Sequence, residues 1–193
     1  MALVLSKIGE STMEEKRSKF IGFCAPVKSE EEARNLLDKI RCKHSSATHN
    51  VYAYNVGSIT RFSDDGEPQG TSGMPVLNVF LKKGITNFIC VVTRYYGGIL
   101  LGAGGLVRAY TKAANAALET AGVEEQFSST IYKVTCDYSQ LDKVKYQFNK
   151  WRIEILETLF THQCTLTVRV RDDLAEPFLK GDFYIYKGGK SLD

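Results

Sequence analysis

RFSDDGEPQGTSGMP (Arg61–Pro75) and TRYYGGILLGAGGLVRA (Thr93–Ala109) are two loops rich in glycine, each running straight into an expected helix. The first helix begins near Pro75, because proline suits the opening helical position, and Ser72 stands where it can cap it. Val76, Leu77, Val79 and Phe80 supply its buried face, and Gly84 ends it. Asn87–Thr93 is apolar without a break, as in a strand covered on both faces. The second helix runs from about Leu106 to Ala121, with Leu106, Tyr110, Ala113, Ala114, Ala117 and Leu118 facing inward. Arg108, Lys112, Asn115 and Glu119 recur at three- or four-residue spacing on its polar side. Helix and strand mixed in this way give an α+β fold.

The same reading extends outward. Phe20–Val27 is an expected strand, Ser29 with Glu32 forms a capping box, and Ala33, Leu36, Leu37 and Ile40 make a helical apolar stripe. His49–Val56 is rich in β-formers. Gly57–Gly73 reads as one long loop, and loops of more than about 12–15 residues in a compact domain usually carry function. A boundary is expected at Gly122–Ser129. Beyond it come a strand at Thr130–Asp137, a helix at Gln140–Lys150 and a hairpin from Ile153–Phe160 and Thr165–Val170. A short helix at Leu174–Leu179, interrupted by Pro177, and a strand at Phe183–Tyr186 would close a βαββαβ unit.

Composition bounds the function. The 193 residues suit one large domain or two small ones, with 44% apolar and 24% charged residues. Net charge is only +3, so nucleic-acid contact would need a local patch, not a whole-molecule field. Residues 1–128 carry 15 basic and 13 acidic side chains, and residues 129–193 carry 10 and 9. The five cysteines are scattered without a CxxC pair, as expected of reduced thiols. The opening MALVLSKIGE is too short in its apolar part for a signal peptide, and no run approaches a spanning helix. The expectation is a cytoplasmic protein without a membrane partner.

The two loops point to something anionic. Backbone N–H groups at helix N-termini hold anions, and arginine adds forked charge-assisted bonds. The candidate surface comprises Arg61, Thr71, Ser72, Gly73, Arg94, Tyr95, Gly97, Gly98, Gly102, Gly104, Gly105 and Arg108. GGILLGAGG lacks the Lys-Ser/Thr end of a P-loop and the GxGxxG spacing of a dinucleotide fingerprint. Its glycines equally serve close packing of helix on strand. Arg94 and Arg108 could reach the loop mouth or pair with Asp64, Asp65 or Glu67. Those three acids could contact a metal or act as acid and base, or simply build a turn ahead of Gly66. Cys42, His44 and His49 do not have zinc spacing, and no metal or cofactor is expected. Tyr52 and Tyr54 share one strand face, while Tyr95 and Tyr96 sit nearer the loop; all four could stack on bases.

KFIGFCAPV (19–27), ATHNVYAY (47–54), RFSDDGEPQGTSGMPVL (61–77) and VVTRYYGGILLGAGGLVRAY (91–110) together resemble the YigZ/IMPACT family. The resemblance implies an N-terminal domain over residues 1–125, folded like the second domain of a small-subunit ribosomal protein. It implies a ferredoxin-like domain over 129–193, similar to the last domain of elongation factor G. It also implies a role around translation, with the ribosome, RNA or a translation-related protein as partner, and no established reaction. The reading that follows is a translation-associated regulatory binding protein. Alternatives are an enzyme for a small phosphorylated or nucleotide substrate, and a pure protein–protein adaptor.

Overall fold

Phe88–Tyr95 becomes the central strand of a five-stranded sheet, buried along nearly its whole length. The computed structural model describes residues 2–180 in full and the backbone of 184–191. Two compact units divide the chain, Ala2–Gln126 and a second from Phe127 onward.

The first unit runs β1 (Ala2–Leu5), β2 (Gly9–Glu15), β3 (Ser18–Pro26), α1 (Glu30–Lys43), β4 (His49–Val56), β5 (Ile59–Ser63), α2 (Gly73–Leu81), β6 (Phe88–Tyr95), α3 (Ala103–Ala121) and β7 (Val123–Gln126). The main sheet has the order β2-β3-β6-β4-β5, every neighbour antiparallel. Strand alternation sends successive side chains to opposite faces. On one face Phe23, Tyr54, Ile89 and Val91 meet Ala33, Leu37 and Ile40 of α1. On the other, Phe20, Val51, Cys90 and Val92 meet the apolar sides of α2 and α3. β6 is apolar without alternation because helices cover both of its faces.

Helix α1 starts as its capping box directs: Glu32 N–H donates to Ser29 Oγ at 3.1 Å, and Lys28 N–H donates to the Glu32 carboxylate at 2.7 Å. Helix α3 lies close to the sheet because it presents alanines to glycines. A Cβ on Gly22 would stand 2.6 Å from the Ala113 carbonyl oxygen, and one on Gly9 would stand 2.1 Å from that of Ala117. All five cysteines are free thiols, four of them buried; burial pushes Cys24 up to about 12.

The segment 57–73 is not one long loop. Gly57 and Ser58 form a two-residue turn, and Ile59–Ser63 pairs with β4 from Val56↔Ile59 to Tyr52↔Ser63. The true loop is Asp64–Ser72. The sequence reading also missed β1, β2 and β7. β2 (GESTMEE) is a largely polar edge strand, and β1 with β7 (VEEQ) makes a short ribbon whose β7 side chains are mostly exposed, so hydrophobic alternation does not announce them.

The second unit contains β8 (Ser129–Cys136), α4 (Leu141–Lys150), β9 (Glu154–Phe160), β10 (Cys164–Arg171), α5 (Ala175–Leu179) and β11 (Tyr184–Ser191). Its sheet order is β11-β8-β10-β9, all antiparallel, the ferredoxin-like arrangement of a βαββαβ unit. Val134, Leu166 and Val168 from the sheet pack with Val144, Phe148 and Phe178 from the helices. Pro177 does not interrupt α5. It occupies the first turn, where its missing N–H would have no helical partner anyway. The expected closing strand began at Phe183, which lies outside the described residues; β11 begins at Tyr184. No described helix is long and apolar enough to cross a membrane.

Candidate anion-binding site

The first glycine loop already contains the anion that its helix attracts. Asp64 Oδ1 accepts from the N–H groups of Ser72 and Gly73 at 3.0 and 2.8 Å and from Ser72 Oγ at 2.7 Å. Its Oδ2 accepts from Gly70 N–H at 2.8 Å. Ser72 is the N-cap residue of α2 in position, yet its hydroxyl donates to Asp64 and leaves the helix uncapped by its own side chain. Thr71 Oγ1 donates to the Pro68 carbonyl at 2.6 Å. Thr71, Ser72 and Gly73, expected to face an external anion, are therefore committed internally. Burial alone would push the Asp64 carboxyl up, but the donors from Gly70, Ser72 and Gly73 outweigh it and hold the group below its usual value.

Arg94 is not a surface contact. Strand β6 points it at the α2/α3 face, where it is buried and its Nη1 donates to Glu67 Oε1 at 2.7 Å. Glu67 also accepts from Tyr110 Oη at 2.7 Å, and His49 Nε2 stands 3.8 Å away. Arg94 Nη2 and Gly97 N–H both donate to Ser18 Oγ at 3.2 Å, and the guanidinium carbon lies 5.4 Å from the Phe20 ring centre and 5.3 Å from that of Tyr96. Arg94 Nε is buried without a partner among the described residues. The cluster ties β3, β6, α3 and the 64–72 loop together, with its charges cancelled inside the core. Ser18 was missed by the sequence reading, and Tyr110 was read only as an apolar-face residue. The signal for Tyr110 lay in its hydroxyl, since a buried tyrosine needs a hydrogen-bond partner.

The second glycine loop is different. Gly97 fits where nothing larger can, since its Cβ would stand 1.9 Å from the Arg17 carbonyl oxygen. Gly98 and Gly102 have φ of +84° and +70°, in the left-handed region that glycine enters without strain. Gly102 is the N-cap of α3, no side chain caps the helix, and its first turn holds no acidic residue. Gly104 is exposed and Gly105 half-buried. Arg108 folds back over this turn, its Nη1 3.6 Å from where a Gly104 Cβ would sit. Gly105, Arg108, Lys112, Lys16, Glu15 and Leu101 line a cleft of about 220 Å³. Arg108, Lys112 and Lys16 have no ion-pair partner among the described residues. Cations beside the positive end of a helix dipole raise the local potential and oppose the helix's own preference.

The three arginines do not share one surface. Arg61 is exposed on β5, opposite Tyr54 in register, and so lies on the α1 side of the sheet. Tyr95 is also on that side, its hydroxyl 2.9 Å from His44 Nδ1. The acids diverge as well. Asp65 accepts from Asn50 N–H at 2.7 Å and pairs with Arg41 at 3.3 Å, while Asp64 faces the α2 N-terminus and Glu67 faces Arg94. Among the described residues no group of three His, Cys, Asp or Glu side chains could hold a metal ion. The sequence grouped residues adjacent along the chain; the sheet distributes them over two faces and the interior.

Comparison with known proteins follows the same stretch. The Impact N-terminal domain model matches residues 16–118. The IMPACT family member YvyE of Bacillus subtilis is 35% identical over 177 residues, covering 90% of this chain and 82% of that protein. An IMPACT family member of Haemophilus influenzae is 38% identical over 168 residues, covering 84% of this chain and 82% of its own length. A solved crystal structure of a hypothetical protein superposes with a TM-score of 0.65 at 30% identity, covering 98% of both chains. With the domain match spanning both glycine loops and the relatives covering most of the chain, this protein belongs to the IMPACT family.

Proposed function

We propose that this chain is a translation-associated regulatory binding protein that grips a polyanionic partner, RNA or the ribosome, at the start of α3. Family membership supports the role around translation that the sequence resemblance implies. One observation carries the choice of surface: α3 opens without a side-chain cap, Arg108 folds over its first turn, and the adjoining cleft holds Arg108, Lys112 and Lys16 against Glu15 alone, the three cations having no ion-pair partner among the described residues. Free N–H groups, the helix dipole and unpaired cations together favour phosphate. Of the expected contacts, Gly102, Gly104, Gly105 and Arg108 remain at this place. Arg61 and Tyr95 belong to another face, and Arg94 acts from beneath the loop by fixing Gly97 through Ser18.

Sedimentation of ribosome profiles across a salt series tests the reading. The wild-type chain should cosediment at low salt and fall away steeply as salt rises. The Arg108→Ala/Lys112→Ala double variant should cosediment less and with a shallower salt dependence. Equal cosedimentation of the two proteins at low and high salt would sink the proposal. The adaptor reading draws on one feature of the same loop: Leu100 is 81% exposed at its tip, with Ile99 and Val107 also exposed. It predicts a partner that stays bound through nuclease treatment and high salt.

A further inference from the structure

The opposite face of the sheet carries a second cleft, of about 380 Å³, between α1 and the β4–β5 hairpin. Arg34, Asp38 and Arg41 recur at helical spacing along one side of α1 and face Tyr52, Tyr54 and Arg61 across it. Three arginines and Asp38 line it; Glu30 pairs with Arg34 and Asp65 with Arg41, which leaves Arg61 as the lining cation without an ion pair among the described residues. Arg61 makes a single hydrogen bond, to the Thr60 carbonyl at 3.3 Å, and has no ion-pair partner among the described residues. Arg34 pairs with Glu30 at 2.7 Å; the Arg34 side chain is 65% exposed and keeps further N–H donors for a ligand anion, while Glu30 is 26% exposed and is also held by Tyr54.

The floor of the cleft is built and fixed. Tyr52 and Tyr54 stack at 6.1 Å and 14°, and the Tyr54 hydroxyl donates to Glu30 at 2.8 Å. The Arg41 guanidinium lies 5.5 Å from the Tyr52 ring centre and is tethered to Asp65. A planar guanidinium held over an aromatic ring is a surface on which a nucleobase stacks, and the remaining arginines offer forks for phosphate. The cleft is larger than phosphate alone requires and falls within the usual range for small-molecule sites, about 300–1,000 Å³.

We propose that this cleft binds a nucleoside 5′-phosphate, free or at the end of an RNA strand, with the base on Arg41 over Tyr52 and the phosphate between Arg34 and Arg61. The site is separate from the α3 surface and stands or falls independently of it.

Calorimetric titration of the full chain with adenosine 5′-monophosphate, adenosine and inorganic phosphate tests it. The monophosphate should bind, and each fragment should bind about tenfold or more weakly, since both halves of the ligand are engaged. Arg34→Ala/Arg61→Ala should abolish binding; both side chains are exposed, so folding should survive. Arg41→Lys keeps the charge and removes the plane, and should reduce the monophosphate to the level of inorganic phosphate. All titrations are made in the Arg108→Ala/Lys112→Ala background, which removes the α3 cations, so that they report this cleft alone. No monophosphate binding at millimolar concentration, binding no tighter than phosphate alone, or binding that survives Arg34→Ala/Arg61→Ala would each overturn the proposal. A 5′-phosphorylated oligoribonucleotide that binds more tightly than the monophosphate assigns the site to strand ends. The reverse order assigns it to free nucleotides, and either order supports it.

Discussion

Helices α2 and α3 begin in similar-looking glycine-rich loops and end up electrostatically opposite. At α2 the chain supplies its own anion, Asp64, and the donors of the first turn are spent on it. At α3 no side chain caps the first turn, no acid stands in it, and Arg108 folds over it. Helix α1 follows the ordinary rule, with Glu30, Glu31 and Glu32 in its first turn. A glycine loop ahead of a helix is therefore not itself an anion site. What decides the matter is whether the chain has already filled it.

The largest effect should come from the loop that closes α2. Glu67→Ala would strand Arg94 as a buried uncompensated charge and remove the acceptor of Tyr110, so a loss of about 3–5 kcal/mol is expected in denaturant unfolding. A loss below about 1 kcal/mol, the scale of an exposed pair, would mean the cluster is not the clasp described above. Asp64→Ala should cost about 1.5–3 kcal/mol, the scale of hydrogen bonds to a charged group. Its pH signature separates it from a mere volume change. The folded Asp64 carboxyl lies below its unfolded value, so its contribution is complete above the unfolded value and disappears as pH falls through the folded one. Stability of the wild type should drop in that acid range, and Asp64→Ala should flatten the drop.

Much of the fold was legible because periodicity and capping were local. The α3 stripe from Leu106 to Leu118, the Ser29–Glu32 box and the uninterrupted β6 run each declare their element within a few residues. The site was less legible because its partners are distant in sequence. Arg94 meets Ser18 and Glu67 only once β3 lies against β6, and Arg61 leaves the group only when β5 folds back on β4. Residues crowded into one motif were divided by the alternation of a strand, which no motif records.

Smaller effects probe α3 itself. Ala103→Asp places an acid at the open first turn and should stabilise the protein by about 0.3–1 kcal/mol in thermal unfolding, while weakening the proposed association with RNA. Stabilisation with undiminished association would separate the two properties and remove this turn from the binding surface. Arg108→Ala/Lys112→Ala should alter stability by no more than about 0.5 kcal/mol. Its mark should lie in binding: the slope of log affinity against log salt should fall by about one for each phosphate no longer gripped.

The β1–β7 ribbon pairs Ala2 with Gln126 and Leu5 with Val123, so the first and last strands of the N-terminal unit lie side by side. A module whose entry and exit are neighbours makes few demands on the chain that carries it. It can be spliced ahead of, behind or within another protein without stretching its own framework. Reconnecting β7 to β1 through a short linker and opening the chain elsewhere, for instance at the exposed Gly57–Ser58 turn, should give a permuted unit that still folds. The ribbon thus makes this unit a portable part, whose surfaces can be kept while the company it keeps is changed.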